Sequence, residues 1–357
     1  MSLRHYLRPS ALLEMPAAAV PQGHQAIHVA GSPHLAAAAA ELISRDGTAR
    51  AEAQHLTAPE VRARAASDAA IARLLARHEA PRPPLAGLLL DRPRLMGIVN
   101  VTPDSFSDGG AFSSAQAAVE HALRLEAEGA DILDIGGEST RPGAHPVAVE
   151  EELGRVVPVI ERLAGRTKAL ISIDTRKAEV MRRALAAGAQ IINDVAALTY
   201  EPECLEVAAA STAPVVLMHA QGDPRTMQSA PRYDDCLLDV YDWLAARVAA
   251  CEAVGIARQR LVIDPGIGFG KTLAHNLELL AGLTLLHGLD VPVLLGASRK
   301  SFIGGLSGVR DARQRVPGSI AAALQGAAHG VQILRVHDVA ETRQALSVWE
   351  AMRRGSP

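Results

Sequence analysis

Eight short apolar segments recur between residue 94 and the end of the chain, and each is followed directly by polar residues. The first, Leu95–Val99, ends in Asn100, after which hydroxyls, carboxylates, a proline and paired glycines follow. Such a run is typical of a strand buried on both faces, and Gly, Pro, Asp and Ser are typical of the loop behind it. The predicted strands are Leu95–Val99, Ile132–Ile135, Ala169–Ile173, Ile191–Ile192, Val215–Met218, Leu261–Ile263, Val293–Leu295 and Ile333–Val336.

Helical segments separate these strands. The predicted helices are residues 115–129, 149–164, 177–188, 201–211, 235–254, 274–286, 315–329 and 339–353. Pro158 predicts a kink or a late start in the second of them. Eight strands alternating with eight helices predict an α/β protein, a (β/α)₈ TIM barrel, which typically takes about 250 residues. An open, doubly wound sheet is the competing architecture, but the G-x-G-x-x-G turn expected after its first strand is absent. Gly266–Gly270 resembles that turn superficially, yet it follows the sixth strand, so we interpret it as a loop that approaches a ligand closely.

The chain divides near residue 90 into two predicted parts. Residues 91–357 form the barrel, and residues 1–90 form an N-terminal extension that is rich in Ala, Arg and His and suggests no chemistry. The predicted elements of the extension are helices at Leu35–Ser44 and Pro59–His78 and a proline-rich linker at Pro81–Pro84. Its histidines lack metal-ligand spacing, so we interpret them as surface residues.

Composition excludes several classes of function. A formal charge of −3 provides no general attraction to nucleic acid or acidic membranes, and 3% aromatic residues make a base-stacking platform a poor fit. No apolar run approaches the roughly 18 residues of a membrane span. The three cysteines lack metal spacing and predict reduced thiols, and no secretory apolar region follows the first residues. Together these features predict a cytoplasmic protein.

Polar side chains collect where the predicted strands end, and in a barrel such ends converge on one mouth. They are Asn100, Asp134 to Arg141, Asp174, Asn193 with Asp194, Met218 with His219, Asp264, Ser298 to Lys300, and Arg335 with His337. Singly, each has a structural explanation: Asp174 could cap the helix near Lys177, and Asn193 could fix a turn. Since all eight strands end this way, we interpret the set as a site.

The set has two chemical halves. Asp174, Asn193 and Asp264 suit the edge of a flat heterocycle rich in N–H donors, and Lys300 can donate to ring acceptors. The other half is cationic or oxygen-bearing and suits phosphate with a hard metal ion; it consists of Asn100, Arg141, Arg335 and His337. The two halves together imply displacement of a phosphate leaving group.

Lysine is rare in this chain, with four lysines against 32 arginines, and two of the four lie in these motifs. They are Lys271 and Lys300. Neither motif forms a Cys/His cluster of the kind that binds zinc.

These motifs resemble those of the dihydropteroate synthases, over roughly residues 94–350. The matching segments are Met96–Gly110, Asp134–Gly143, Ser172–Thr175, Ile192–Asp194, Leu217–His219, Asp264–Lys271, Gly296–Lys300 and Arg335–Asp338. The resemblance does not extend to the N-terminal extension. It implies a TIM barrel that condenses 6-hydroxymethyl-7,8-dihydropterin diphosphate with p-aminobenzoate, releases pyrophosphate, uses Mg²⁺ and forms a homodimer through its last helices.

The resemblance also implies residue roles. The pterin would be held by Asp174, Asn193, Asp264 and Lys300, with Met218 and Phe269 packed around it. The diphosphate and its metal would be held by Arg335, His337, Arg141 and Asn100, with Asn100 as the metal-site residue. The p-aminobenzoate side would be lined by Thr140, Arg141 and Ser298. Within this set, the catalytic group would be Asp174, Lys300, Arg335 and His337.

Other functions stay open at the level of sequence. A pterin-binding methyltransferase shares the barrel but has no use for the diphosphate group, and p-aminobenzoate dependence would separate the two. A barrel that binds pterin without turnover would have lost some of these residues. A glycosidase-like carboxylate pair at Asp174 and Asp264 does not explain the cations.

Overall fold

The computed structural model describes residues 3–14, 25–47, 49–101, 111–139, 144–222 and 226–355. The strands are β1 (Arg4–Glu14), β2 (Ile27–His28), β3 (Leu35–Asp46), β4 (Ala49–Thr57), β5 (Arg94–Asn100), β6 (Ile132–Gly136), β7 (Leu170–Asp174), β8 (Ile191–Asp194), β9 (Val215–Met218), β10 (Leu261–Asp264), β11 (Leu294–Leu295) and β12 (Ile333–Val336). The helices are α1 (Ala58–Ser67), α2 (Ala69–Glu79), α3 (Ala111–Ala127), α4 (Val149–Leu163), α5 (Ala178–Ala187), α6 (Pro202–Ala210), α7 (Cys236–Ala253), α8 (Leu273–Ala281), α9 (Ser301–Ser307), α10 (Val316–Ala328) and α11 (Val339–Arg354).

Strands β5 to β12 form one parallel sheet in the order β10-β9-β8-β7-β6-β5-β12-β11. The sheet closes on itself because a parallel bridge joins Ile263 to Val293, and the Ile263 N–H donates to the Pro292 carbonyl at 3.0 Å. A helix follows each strand, so the predicted (β/α)₈ barrel and its eight strands are confirmed.

A layer of buried apolar side chains fills the amino-terminal half of the barrel interior. Its members are Met96, Ile132, Ile191, Val216, Val262, Leu294 and Ile333, with Leu170 beside them. Leu85, which precedes the first barrel strand, is buried in the same layer and pairs with Leu88. Because this end is packed with hydrocarbon, the polar residues of the interior lie toward the carboxyl ends of the strands.

The helices differ from the predictions in three places. Helix α8 ends at Ala281, and a 3₁₀ segment covers Leu283–Leu289 instead of a continued helix. Helix α9 was not predicted. Helix α4 begins at Val149 with Pro158 inside it, so the late start is wrong, while the kink stays a prediction.

The extension forms its own antiparallel sheet, in which β3 pairs with β1 on one side and with β2 and β4 on the other. The predicted helix at Leu35–Ser44 is therefore wrong, because that segment is the central strand β3. Its alanines favour a helix locally, but pairing on both sides outweighs that weak propensity. The predicted Pro59–His78 helix is divided at Asp68, whose carboxylate accepts from the N–H groups of Ala70 and Ile71.

The extension packs on α7 and on the 3₁₀ segment of the barrel. The Tyr6 hydroxyl lies 3.0 Å from an Asp242 carboxylate oxygen, and Arg45 donates to Asp239 at 2.5 Å. Further along, Thr284 donates to the Pro9 carbonyl at 2.8 Å. The division near residue 90 stays a prediction, although the first barrel strand begins at Arg94. In the part of the chain that the structure describes, no helix is long and apolar enough to cross a bilayer.

Candidate active site

A largely buried network of ion pairs and hydrogen bonds joins four barrel strands at the mouth. Arg335 on β12 donates through Nε to Asp134 Oδ2 at 2.6 Å and through Nη2 to Asp174 Oδ2 at 2.7 Å. Asn193 on β8 donates to the same Asp134 oxygen at 3.0 Å. Three of the predicted site residues therefore share one cluster, with Asp134 at its centre.

The cluster contains two carboxylates and one guanidinium, so its ionisation is unusual. Burial raises the pKa of Asp174 to about 7; Arg335 opposes this rise, and the charge of Asp134 adds to it. Burial acts to lower the pKa of Arg335, but attraction to both carboxylates outweighs burial and raises it. Arg335 thus stays charged, while Asp174 exchanges a proton near neutral pH.

A second carboxylate–cation pair lies across the mouth. Asp264 ends β10 and accepts from the Gly266 N–H at 2.7 Å, and burial raises its pKa against the opposing charge of Lys300. The Lys300 ammonium lies 4.4 Å from the centre of the Phe269 ring and donates to the Ile267 carbonyl. Burial lowers the pKa of Lys300 to about 8, with Asp264 opposing and Arg335 contributing to the shift.

The two pairs face one another. A Cβ built on Gly296 would lie 3.6 Å from Asp264 Oδ2 and 3.9 Å from Arg335 Cβ, so both side chains border the same glycine. The charges of Asp264, Arg335 and Asp174 all act on Lys300. Met218 pairs with Asp264 in the sheet and is buried beside it. The mouth therefore combines carboxylates, an amide, two cations and apolar walls.

Ser298 and His337 form a separate contact on the loops after β11 and β12. The Ser298 hydroxyl lies 3.0 Å from His337 Nδ1 and accepts from the His337 N–H at 3.2 Å. Between Ser298 and Lys300, Arg299 turns away and pairs with Asp338 at 3.0 Å. Three successive residues thus serve three different contacts.

Asn100 lies at the carboxyl end of β5, opposite Gly136 in the sheet. A Cβ built on Gly136 would be 3.5 Å from the Asp174 Cβ, so Asn100 adjoins the ion network. Thr140 and Arg141 lie outside the described residues.

The helix-cap and turn explanations of the strand-end residues do not hold. Asp174 bonds to Arg335, and helix α5 begins after Lys177 without a side-chain cap. Asn193 bonds to Asp134, whereas the neighbouring Asp194 accepts from the N–H groups of Ala196 and Leu198 and fixes that turn.

The predictions gave no role to three buried residues of the mouth. Asp134 lies inside a predicted apolar strand, and the alternation of side chains along β6, which points it inward, was the available signal. His219 and Lys271 lie 2.9 Å apart on the loops after β9 and β10, and the rarity of lysine drew attention to Lys271.

Comparison with known proteins gives one answer. Residues 96–337 match the family described as pterin binding enzyme. The dihydropteroate synthase of Escherichia coli (strain K12) is 52% identical over 262 residues, which are 73% of this chain and 92% of that protein.

Two solved structures of Xanthomonas albilineans dihydropteroate synthase are also similar. One, with 4-aminobenzoic acid, is 58% identical with a TM-score of 0.71, covering 75% of this chain and 96% of that chain. The other, in complex with 7,8-dihydropteroate, is 55% identical with a TM-score of 0.68. The match covers 74% of this chain and 95% of that chain. By sequence and by structure, the chain belongs to the dihydropteroate synthase family of pterin-binding enzymes.

Proposed function

We propose that this chain condenses 6-hydroxymethyl-7,8-dihydropterin diphosphate with p-aminobenzoate to give 7,8-dihydropteroate and pyrophosphate. The observation that carries the proposal is the convergence of Asp174, Asn193, Asp264, Lys300 and Arg335 on one mouth. A flat ring with N–H donors on one edge and acceptors on another finds complementary groups there.

The same residues suit the chemistry of the transfer. The pterin C–O bond to the diphosphate breaks, a C–N bond forms to the aniline amine, and that amine releases a proton. Positive charge develops on the ring as the diphosphate leaves, and the carboxylates of Asp174 and Asp264 would stabilise it. Arg335 and His337, with Arg141, would hold the departing diphosphate. Because the amine is weakly basic, no strong general base is required.

Ser298, with Thr140 and Arg141, would line the p-aminobenzoate side. The contact between the Ser298 hydroxyl and His337 Nδ1 at 3.0 Å supports this role, because it joins a residue assigned to p-aminobenzoate with one assigned to the diphosphate. Met218 and Phe269 would supply the apolar contacts to the pterin ring.

Mg²⁺ fits this site as a partner of the substrate's phosphates. Within the described ranges, no group of three or more His, Cys, Asp or Glu side chains could hold a metal. The Asn100 amide at the end of β5 offers one oxygen, and Mg²⁺ commonly combines one or two protein oxygens with substrate phosphates and water. When bound, the ion would neutralise charge on the leaving diphosphate.

A cytoplasmic homodimer completes the proposal. The cysteines Cys204, Cys236 and Cys251 are free and buried, which suits a reducing compartment. On the last helix, Val348 and Met352 are 54% and 71% exposed, one turn apart, and a second copy could cover them.

A pyrophosphate-release assay on the full chain tests the activity. We expect release that depends on both substrates. Release without p-aminobenzoate, or methyl transfer in its place, would reject the synthase in favour of another pterin-binding enzyme.

Asp264→Ala tests the pterin contact. A charged hydrogen bond contributes roughly 1.5–3 kcal/mol, so we expect the affinity for a pterin analogue to fall at least about tenfold, together with the rate. Isothermal titration calorimetry measures the affinity. The exposed Asp46→Asn variant is the matched control, and unchanged affinity in Asp264→Ala would remove Asp264 from the pocket.

A further inference from the structure

One buried lysine holds the loop that follows β10. Lys271 is 3% exposed, and its ammonium donates to the Phe269 carbonyl at 3.0 Å and to the His219 carbonyl at 3.3 Å. The third contact is His219 Nδ1 at 2.9 Å. Three N–H donors thus meet three acceptors, two of them on the loop after the neighbouring strand β9.

The two loops approach one another so closely that glycine is required. Gly266 has φ +68°, and a Cβ there would lie 1.9 Å from the His219 carbonyl oxygen. Gly270 has φ +62°, and a Cβ there would lie 2.3 Å from the Gln221 carbonyl oxygen. Lys271 joins the two loops at this close contact, where a side chain in place of either glycine would clash with the backbone of the other loop.

The histidine that receives Lys271 is itself fixed. Burial lowers the pKa of His219 to about 3, with the charge of Lys271 contributing, so the ring is neutral and can accept at Nδ1. Its ring packs edge-on against Trp243 of α7, with centroids 5.0 Å apart. The lysine is therefore anchored to the barrel wall.

The loop that Lys271 anchors carries both contacts that orient Lys300. The Ile267 carbonyl accepts from the Lys300 ammonium, and the Phe269 ring lies beneath it. Since Lys271 bonds to the Phe269 carbonyl, a shift of this loop would displace both contacts together.

We propose that Lys271 is a positioning residue for the transfer reaction, which joins the loops after β9 and β10 and so fixes Lys300 against the pterin. The inference rests on the proposed function, because that function assigns Lys300 to the pterin. Lys271 itself touches no reacting atom; it acts through Ile267 and Phe269.

Lys271→Met tests the inference, since methionine keeps the length of the side chain and removes its donors. We expect the KM for the pterin diphosphate and the Kd of a pterin analogue to rise about tenfold each. The KM for p-aminobenzoate should change less than about twofold, because Ser298 has its own support from His337. Lys168→Met is the matched control, because Lys168 is exposed at the opposite end of the barrel, before β7.

Two results would overturn the proposal. One is a folded Lys271→Met protein whose pterin Kd and KM equal those of the wild type. The other is a fall in kcat with the pterin Kd and both KM values unchanged, because Lys300 would then hold the pterin as it does in the wild type.

A second variant covers the case in which Lys271→Met does not fold. His219→Phe keeps an aromatic ring against Trp243 and removes one of the three acceptors. We expect the same selective rise in pterin Kd, at about threefold, and an unchanged Kd contradicts the proposal. Calorimetry needs no turnover, so a wild type that binds the analogue but releases no pyrophosphate would refute the proposed function and leave this comparison intact.

Discussion

At the scale of single residues, the ion pairs of the mouth are unevenly matched. Asp134 is fully buried, and its Oδ1 has no hydrogen-bond partner among the described residues. It shares Arg335 with Asp174, so two carboxylates compete for one guanidinium. Buried groups that compete for one partner are common at active sites, where a bound substrate can supply the missing hydrogen bond or charge.

The raised pKa of Asp174 predicts how catalysis varies with pH. In the proposed reaction, the ionised Asp174 carboxylate is the form that would stabilise positive charge on the ring, and below a pKa of about 7 the neutral form predominates. We therefore expect kcat/KM to rise with pH up to about 7, with a slope approaching tenfold per unit on the acid side.

A pH series of initial rates measures this limb. Asp174→Asn should lower the rate and abolish the rising limb, because the titrating group is gone. Asp46→Asn, at the exposed end of strand β3, should keep the wild-type profile. A rising limb that persists in Asp174→Asn would assign the titration to another group.

The sequence predicted which polar side chains follow the strands and meet at the mouth, because the change from apolar to polar residues is local. Asp174, Asn193 and Asp264 are of this kind. Asp134 was included only as the first of a run of polar residues at the end of its strand, and it received no role because its inward direction depends on which face of β6 lines the barrel. Lys271 could not be assigned a partner either, because His219 is 52 residues away in sequence.

At the scale of elements, the local pattern of apolar and polar residues predicted the structure correctly where burial alone decides it. The eight barrel strands are short apolar runs that are buried on both faces, and all eight were predicted. The helix predicted at Leu35–Ser44 was wrong because pairing with other strands, which a local pattern does not reveal, decides the structure there. The alanines of this segment favour a helix, and it is a strand because it pairs with β1, which is distant in sequence, and with the adjacent strand β4.

The contact between the extension and α7 predicts a cost for Arg45→Met. Arg45 is 5% exposed and pairs with Asp239 and Asp242. Without Arg45, Asp239 would lose this cation, whereas Asp242 would keep its pair with Arg4 at 3.2 Å. We expect the free energy of unfolding to fall by roughly 1.5–3 kcal/mol, the contribution of hydrogen bonds to charged groups.

Urea denaturation measures this change. Arg64→Met, on the exposed face of α1, is the matched control and should stay within about 0.5 kcal/mol of the wild type. If Arg45→Met unfolds at the same urea concentration as the control, the ion pairs do not hold the extension to the barrel.

At the scale of the whole molecule, the extension has an apolar core of its own and also contributes side chains to the core of the barrel. Tyr6 and Ile43 of the extension belong to the same buried cluster as the barrel helices, and Tyr6 packs edge-on against Tyr241. Two histidines, His78 of α2 and His287 of the 3₁₀ segment, are fully buried at this junction. The prediction that the histidines of the extension lie on the surface is therefore wrong for His78.

These histidines predict that the junction weakens in acid. Burial lowers the pKa of His287 to about 3 and that of His78 well below its ordinary value, with nearby positive charge contributing to both shifts. The unfolded chain binds these protons below about pH 6.5 and the folded chain does not, so stability falls as pH falls from 6.5 toward 3. Between pH 7.5 and 5, His287 should cost about 2 kcal/mol of stability, and His78 acts in the same direction.

Urea midpoints at pH 7.5 and pH 5 test this expectation. His287→Gln keeps a donor for the His329 carbonyl, which His287 contacts at 2.8 Å, and should reduce the loss in acid. His145→Gln, at an exposed position, should leave the loss unchanged. Equal losses in both variants would exclude His287 as the source.

The closure of the barrel has a consequence for its ligand. A single bridge between Ile263 and Val293 joins β10 to β11, and β11 is two residues long. Asp264 stands on one side of that seam and Lys300 on the other. A ring bound by both residues would bridge the two strands where the backbone pairing of the barrel is shortest. Ligand binding would therefore also stabilise the closed barrel against unfolding.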